Sequence, residues 1–125
     1  VDIGDLNSDN LNELIVGAPG IDGGKLFALS SQAGTYQLEE LFLSTEIETT
    51  SERLGEYLAF EQGVLYATSK HNEGSIYRFG VDISEGLALL ETIDVNHPLL
   101  SDRLNDGDQF GSGLSIADMN QDGNM

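Results

Sequence analysis

The sequence predicts an all-β chain built from repeated units of four short antiparallel strands. Four pairs of segments recur in register: residues 14–19 with 64–69 and residues 24–29 with 74–79 at an offset of 50, residues 54–60 with 110–116 at an offset of 56, and the acidic run from Asp5 with that from Asp118 at an offset of 113. The unit is 56 or 57 residues long, since 113 is two such units, and the offset of 50 indicates that the middle unit has lost six or seven residues from one loop. A repeat of this length indicates an array of one supersecondary unit.

Each unit contains four runs of alternating apolar and polar residues, separated by Gly, Asn, Ser or Asp. In the middle unit these runs predict strands near residues 55–60, 63–68, 75–81 and 87–93, with turns at residues 72–74 and 84–86. Four-stranded units of this length are typical of β-propeller blades, which stack because one blade cannot bury both of its faces. A small β-sandwich with accidental similarity between its halves is the alternative.

The repeats divide residues 1–125 into about one complete blade and two partial ones. We expect residues 1–50 to hold a partial blade with an acidic loop, residues 51–106 a complete blade without that loop, and residues 107–125 the start of the next blade. The chain begins without methionine and stops inside a repeated motif, so we expect both ends to be cuts in a longer protein. A partial propeller leaves apolar faces uncovered, and we therefore expect it to associate.

The loop between the first and second strands is long in the first unit and short in the middle one. In the middle unit only Glu61-Gln62-Gly63 remain at this place, which predicts a tight, metal-free hairpin.

Composition excludes several classes of partner. The chain has 22 acidic and 5 basic residues and a net charge of −17, so it repels nucleic acid and anionic membranes. An acidic surface could also serve only to keep the protein soluble, so the charge does not by itself indicate a metal site. The sequence contains no cysteine, which excludes disulfides and thiolate metal sites, and no apolar run long enough to insert into a membrane.

The acidic loop at Asp5–Glu13 has oxygen donors at alternate positions. The candidate ligands are Asp5, Asn7, Asp9, the carbonyl group of Leu11, and Glu13. Calcium prefers six to eight oxygen ligands in a flexible shell, whereas zinc prefers His or Cys. An EF-hand would need a glutamate where this sequence has Val16, so that class is disfavoured. An Asx-rich turn without metal is the remaining alternative.

A second acidic loop begins the last repeat. Asp118, Asn120 and Asp122 repeat the first half of the candidate site, and Gly123 stands where the first loop has Asn10. The sequence ends before the later ligand positions, so this site is incomplete in the chain.

These motifs resemble the FG-GAP repeats of integrin α-subunits and their bacterial relatives. Gly17-Ala18-Pro19 and Phe110-Gly111 match the family's sequence literally. The resemblance implies that the Asp5–Glu13 ligands hold calcium. It also implies weaker binding than usual, because Glu13 stands where the family has Asp and Asn10 where it has Gly, which adopts a left-handed conformation without strain.

The resemblance further implies a binding module of a secreted or cell-surface protein, acting in adhesion. A protein or carbohydrate ligand would bind at the loops between blades. The alternative is the non-catalytic propeller of a secreted hydrolase, as in proteins similar to GPI-specific phospholipase D. The sequence contains no recognisable catalytic motif, so we expect no enzyme activity in this fragment.

Other polar residues are better explained by structure than by chemistry. His71 and His97 lie in turn-like segments and are expected at the surface. Residues 105–108 could form another cation loop, but their composition favours a turn between blades. The aromatic residues Tyr57, Tyr66 and Tyr77 lie in predicted strands and are expected to pack within blades.

Overall fold

The chain folds into two four-stranded antiparallel sheets. The computed structural model describes residues 1–32, 35–41, 53–70, 73–82, 86–105 and 107–123. The first sheet contains β1 (Asp2–Gly4), β2 (Glu13–Ala18), β3 (Lys25–Gln32) and β4 (Thr35–Glu40), and the second contains β5 (Leu58–Glu61), β6 (Val64–Ser69), β7 (Ser75–Asp82) and β8 (Gly86–Ile93). Strands are neighbours in chain order, so each sheet is a meander. The described residues contain no helix, and therefore no helix that could span a membrane.

The four strands expected in the middle unit are present, with small differences at their ends. The largest difference is that β5 starts at Leu58 and not at Gly55. The amide of Gly55 donates to the carbonyl of Thr68 at 2.9 Å, and the amide of Thr68 donates to the carbonyl of Tyr57 at 3.0 Å. This segment is thus already attached to the end of β6, in a geometry too irregular for a strand.

The tight hairpin predicted between β5 and β6 is confirmed. Glu61 pairs with Val64, so the turn consists of Gln62 and Gly63 alone. Their φ angles are 50° and 79°, and positive φ at both positions is what a type I′ turn requires. The equivalent connection between β1 and β2 spans residues 5–12, so the sheet accepts a short or a long loop at this place.

Replacing Gln62 with asparagine is expected to stabilise the chain. Asparagine adopts positive φ more readily than glutamine, and we expect the free energy of unfolding to rise by about 0.5 kcal/mol. Urea denaturation followed by circular dichroism measures the change. Gln37→Asn is the matched control, because Gln37 lies exposed on the extended strand β4 and should give no gain. A less stable Gln62→Asn variant would contradict the turn type.

The strand register relates the two sheets to each other. Leu14 pairs with Leu29 in the first sheet, and Leu65 pairs with Phe79 in the second. β3 and β7 have the same length and lie 50 residues apart, so Leu29 and Phe79 are equivalent. Leu14 is therefore equivalent to Leu65, at an offset of 51.

This register corrects one alignment made from the sequence. The alignment of residues 14–19 with residues 64–69 at an offset of 50 is wrong by one residue. The cause is the connection between the second and third strands, which spans residues 19–24 in the first sheet and residues 70–74 in the second. Because side chains alternate between the two faces of a strand, a shift of one residue would assign each side chain to the opposite face.

One hydrophobic core lies between the sheets. Its buried residues are Leu6, Ile15, Leu26, Ala28, Leu41, Leu54, Leu58, Leu65, Ala67, Tyr77, Phe79 and Leu87. The rings of Tyr77 and Phe79 stack with centroids 6.2 Å apart, which agrees with the packing role expected for Tyr77. The same expectation is wrong for Tyr57, which lies before β5 and is 37% exposed. The inner face of the first sheet therefore covers one face of the second.

The first strands of the two sheets lie side by side. Gly4 contacts the ring of Phe60 so closely that a Cβ atom at Gly4 would overlap it. The amide of Phe60 donates to the carboxylate of Asp2 at 2.6 Å. No sequence motif marks Asp2, because this contact joins residues 58 positions apart in the chain.

Leu54 and Gly55 dock on the first sheet through backbone contacts. The amide of Leu54 donates to the carbonyl of Gly23 at 3.0 Å. A Cβ atom at Gly24 would overlap the backbone of Leu54, and one at Gly17 would overlap the backbone of Gly55. Gly17 thus allows the two backbones to pack closely.

Phe110 and Gly111 dock on the second sheet in the same way. The amide of Phe110 donates to the carbonyl of Glu73 at 2.6 Å, and a Cβ atom at Gly74 would overlap the backbone of Phe110. Gly111 lies close to the side chain of Thr68. The contact that joins the first sheet to the following segment therefore recurs on the second sheet.

The expected units can be compared with these elements. Among the described residues, 1–50 form four strands, of which β1 has 3 residues, and 51–106 form the second sheet. Residues 107–123 contain no strand in the part that the structure describes.

Candidate metal centre

The acidic loop connects β1 to β2 at one end of the first sheet. Gly4 pairs with Glu13, so the two strands hold the ends of the loop together. Ser8 and Asn10 adopt positive φ angles of 60° and 67°. Asparagine tolerates this conformation better than most residues, which supports the expectation that Asn10 replaces a glycine.

Side-chain oxygens of the loop turn inwards onto its backbone. The carboxylate of Asp5 accepts hydrogen bonds from the amides of Asp9 at 3.2 Å and Asn10 at 2.9 Å. Asn7 Oδ1 accepts from the amide of Asp9 at 3.0 Å, and Asp9 Oδ1 accepts from the amide of Leu11 at 2.8 Å. The side chains of Asp5, Asn7 and Asp9 are thereby gathered around one tight turn.

Glu13 is the buried member of the predicted site. It is only 1% exposed although it carries a carboxyl group, and its Oε2 accepts a hydrogen bond from the amide of Leu6 at 2.8 Å. This bond ties the end of the loop to its beginning. The side chain of Leu11, the proposed carbonyl ligand, is 55% exposed.

The donor atoms suit calcium in type, since they are carboxylate and amide oxygens within one turn. However, no three His, Cys, Asp or Glu side chains within the described ranges form a group that could hold a metal ion. The carboxylates of Asp5, Asp9 and Glu13 are therefore not brought together as a cluster. Binding would require them to turn from backbone amides towards the cation.

The second acidic loop repeats the hydrogen bonds of the first. The carboxylate of Asp118 accepts from the amides of Asp122 at 3.2 Å and Gly123 at 2.7 Å. Asn120 bonds the amide and the carboxylate of Asp122 as Asn7 bonds those of Asp9.

The backbone of the second loop repeats that of the first as well. Gln121 and Gly123 have φ angles of 59° and 87°, which match those of Ser8 and Asn10. Asn10 and Gly123 thus take equivalent left-handed positions, as the sequence predicts.

The remaining candidates form no metal-binding group either, among the residues that the structure describes. His71 and Asp106 lie outside the described residues. His97 is close to Glu91, with 3.8 Å between Nε2 and Oε1. The amide of Asn105 donates to the carboxylate of Asp108 at 2.8 Å, as in a polar turn.

Three basic side chains form close ion pairs: Lys25 with Glu40 at 3.0 Å, Lys70 with Glu56 at 3.1 Å, and Arg78 with Glu91 at 2.6 Å. In each pair, the hydrogen bond to the carboxylate raises the pKa of the basic group above its usual value. Across the described part of the chain, no ion pair involves Asp5, Asp9 or Glu13. A cation bound in this loop would therefore not have to displace a basic side chain.

Comparison of the chain with known protein families, curated proteins and solved structures finds no match.

Proposed function

We propose that the chain is a calcium-binding sector of a β-propeller similar to FG-GAP repeats. Two features support the propeller. Leu54-Gly55 and Phe110-Gly111 dock on successive sheets through equivalent backbone contacts, and strands lie in chain order within each sheet. Units that each dock on the previous one in the same way extend into an array.

One observation carries the calcium proposal: the loops from Asp5 and Asp118 share one hydrogen-bond pattern and one backbone shape. Calcium would bind to Asp5, Asn7, Asp9, the Leu11 carbonyl and Glu13, and would offset the repulsion that arises when their three carboxylates turn towards one another. The second loop would contribute Asp118, Asn120 and Asp122.

In this proposal calcium stiffens the loop, and the module acts in adhesion or ligand binding in a secreted or cell-surface protein. A protein or carbohydrate partner would bind at the exposed loops, which are held in position by the sheets.

Isothermal titration calorimetry tests the calcium site. The chain is expected to bind calcium with a dissociation constant on the order of 10⁻⁴–10⁻³ M, and more tightly than magnesium, which demands a stricter geometry. Asp9→Ala should weaken binding at least about tenfold, because it removes a ligand and the acceptor that orders Leu11.

Asp102→Ala is the matched control, since it removes the same charge from an exposed turn outside both loops. It should leave calcium affinity within about twofold of the parent chain, because an exposed charge that is not a ligand is screened by salt. The proposal would be contradicted if titration with calcium gave no heat. It would also be contradicted if Asp9→Ala and Asp102→Ala lost calcium affinity equally.

A further inference from the structure

Three of the chain's 5 basic residues border the contact between the first sheet and the segment Leu54-Gly55. Lys25 and Arg53 are the sequence neighbours of Gly24 and Leu54, which are in close contact. Lys70 directly follows β6, the strand to which Gly55 is bonded. The acidic side chains paired with them or next to them are Asp22, Glu40 and Glu56. These six side chains balance in charge, in a chain whose net charge is −17.

This contact lies at the opposite end of the first sheet from the acidic loop. β2 runs from Glu13, where the loop ends, to Ala18, next to Gly17, which packs on Gly55. A strand of 6 residues spans about 17 Å. This length exceeds the Debye length of about 8 Å in physiological salt. The carboxylates of the loop therefore repel an anion at this end of the sheet only weakly.

Glu56 is shared by two basic side chains. Its Oε1 lies 3.1 Å from Lys70 Nζ, and its Oε2 lies 3.5 Å from a terminal nitrogen of Arg53. The second distance is too long for a strong hydrogen bond, and Oε2 is buried without a hydrogen-bond partner in the described part of the chain. The side chain of Arg53 is 62% exposed. One carboxylate thus faces two cations, and the guanidinium of Arg53 is accessible from solvent.

An aromatic ring completes this cluster. Lys70 Nζ lies 4.9 Å from the centroid of the Tyr57 ring, and Tyr57 is 37% exposed. The amide of Tyr57 donates to Thr68 Oγ1 at 3.1 Å, and its carbonyl accepts from the amide of Thr68 at 3.0 Å. The ring therefore stands on a fixed backbone. Arg53, Glu56, Tyr57 and Lys70 are called the junction cluster below.

Docking does not explain the junction cluster, because the second sheet has the same contact without it. Arg53 and Gln109 occupy equivalent left-handed positions, with φ angles of 51° and 52°, and equivalent backbone contacts follow both. Where the first contact has Glu56 and Tyr57, the second has Ser112 and Gly113. The charged and aromatic side chains are thus additional to what docking requires.

We propose that the junction cluster binds an acidic carbohydrate through the carboxylate of a uronic acid. The guanidinium of Arg53 binds the carboxylate, to which its planar fork is complementary. The exposed part of the Tyr57 ring packs on the C–H groups of the sugar ring, since an aromatic side chain offers a flat apolar surface. Glu56 holds Lys70 in place, so a second positive charge lies near the ligand. The assignment rests on the ligand-binding role proposed above and specifies the ligand, but it does not involve calcium.

Saturation-transfer NMR with the trimer of galacturonic acid tests the proposal. EDTA is present because uronates themselves bind calcium. The trimer should bind with a dissociation constant on the order of 10⁻³ M, as expected for few contacts at an exposed site. Its methyl ester keeps the rings and lacks the charges, so it should bind at least about tenfold more weakly.

Arg53→Gln is the decisive variant, because Gln109 shows that the docking position accepts glutamine. It should weaken binding of the trimer about tenfold or more. Arg53→Lys keeps the charge without the planar fork and should lose part of the affinity. Arg103→Gln removes the same charge from an exposed turn and is the matched control, which should bind within about twofold of the parent chain. Circular dichroism checks the fold, and Tyr57→Leu provides an independent test if Arg53→Gln does not fold.

Three results would overturn the proposal. The first is a parent chain that does not bind the trimer, and the second is an equal loss in Arg53→Gln and Arg103→Gln. The third is a glutamate tripeptide that binds as tightly as the trimer, because recognition would then need no sugar ring. Calcium titration separates this proposal from the calcium site: a chain that binds calcium but not the trimer would lose only its carbohydrate ligand.

Discussion

Gly24→Ala is expected to lower the free energy of unfolding by about 3 kcal/mol or more, among the largest effects of a single substitution. Two costs add. Gly24 has a φ of 108°, which side chains rarely adopt. The added Cβ would also overlap the backbone of Leu54, which cannot move without breaking its hydrogen bond to Gly23. Urea denaturation measures the loss.

Gly20→Ala provides the matched control. A Cβ at Gly20 meets nothing within 4 Å, so this substitution should change the free energy of unfolding by less than about 0.5 kcal/mol. Similar values for the two variants would mean that the docking of Leu54 contributes little to the fold.

Glu13→Ala is expected to lower the free energy of unfolding by about 2–3 kcal/mol in EDTA. It removes a buried side chain and leaves the amide of Leu6 without its acceptor. Glu13→Gln keeps an acceptor oxygen and should retain most of this stability. The exposed Glu39→Ala on β4 is the control for loss of a carboxylate.

Calcium separates the ligand role of Glu13 from its structural role. At about 5 mM calcium the parent chain should gain about 1–2 kcal/mol of stability, from a dissociation constant on the order of 10⁻⁴–10⁻³ M. Glu13→Gln should lose most of this gain, because an amide binds the cation less strongly than a carboxylate. A full calcium gain in Glu13→Gln would remove Glu13 from the ligand set.

The strand content could be predicted from sequence because the evidence for it is local. Alternating apolar residues between turn residues locate β6, β7 and β8 closely, and the Gln62-Gly63 turn follows from the short connection. The register of β2 against β6 could not be predicted in this way. Gly17-Ala18-Pro19 aligns with Ala67-Thr68-Ser69 by residue type. The register, however, depends on one extra residue in the turn that follows β2 in the first sheet.

The candidate site could be predicted only in part. The spacing of Asp5, Asn7 and Asp9 predicts a tight turn with left-handed positions, which the structure contains. The orientation of the oxygens depends on backbone amides that compete for them, and this competition leaves no mark in the sequence. The contact between Asp2 and Phe60 likewise depends on how two sheets pack.

The contacts at Gly17 and Gly24 bring backbone against backbone, and this affects how the chain tolerates substitution. In a side-chain core, an enlarged residue can be accommodated when a neighbouring residue becomes smaller. At these two glycines the neighbouring atoms belong to the main chain of residues 54 and 55, where no substitution can remove them. A second substitution can therefore compensate for an enlarged residue in the core between the sheets, but not for one at Gly17 or Gly24. These two glycines constrain the sequence more tightly than the apolar residues around them.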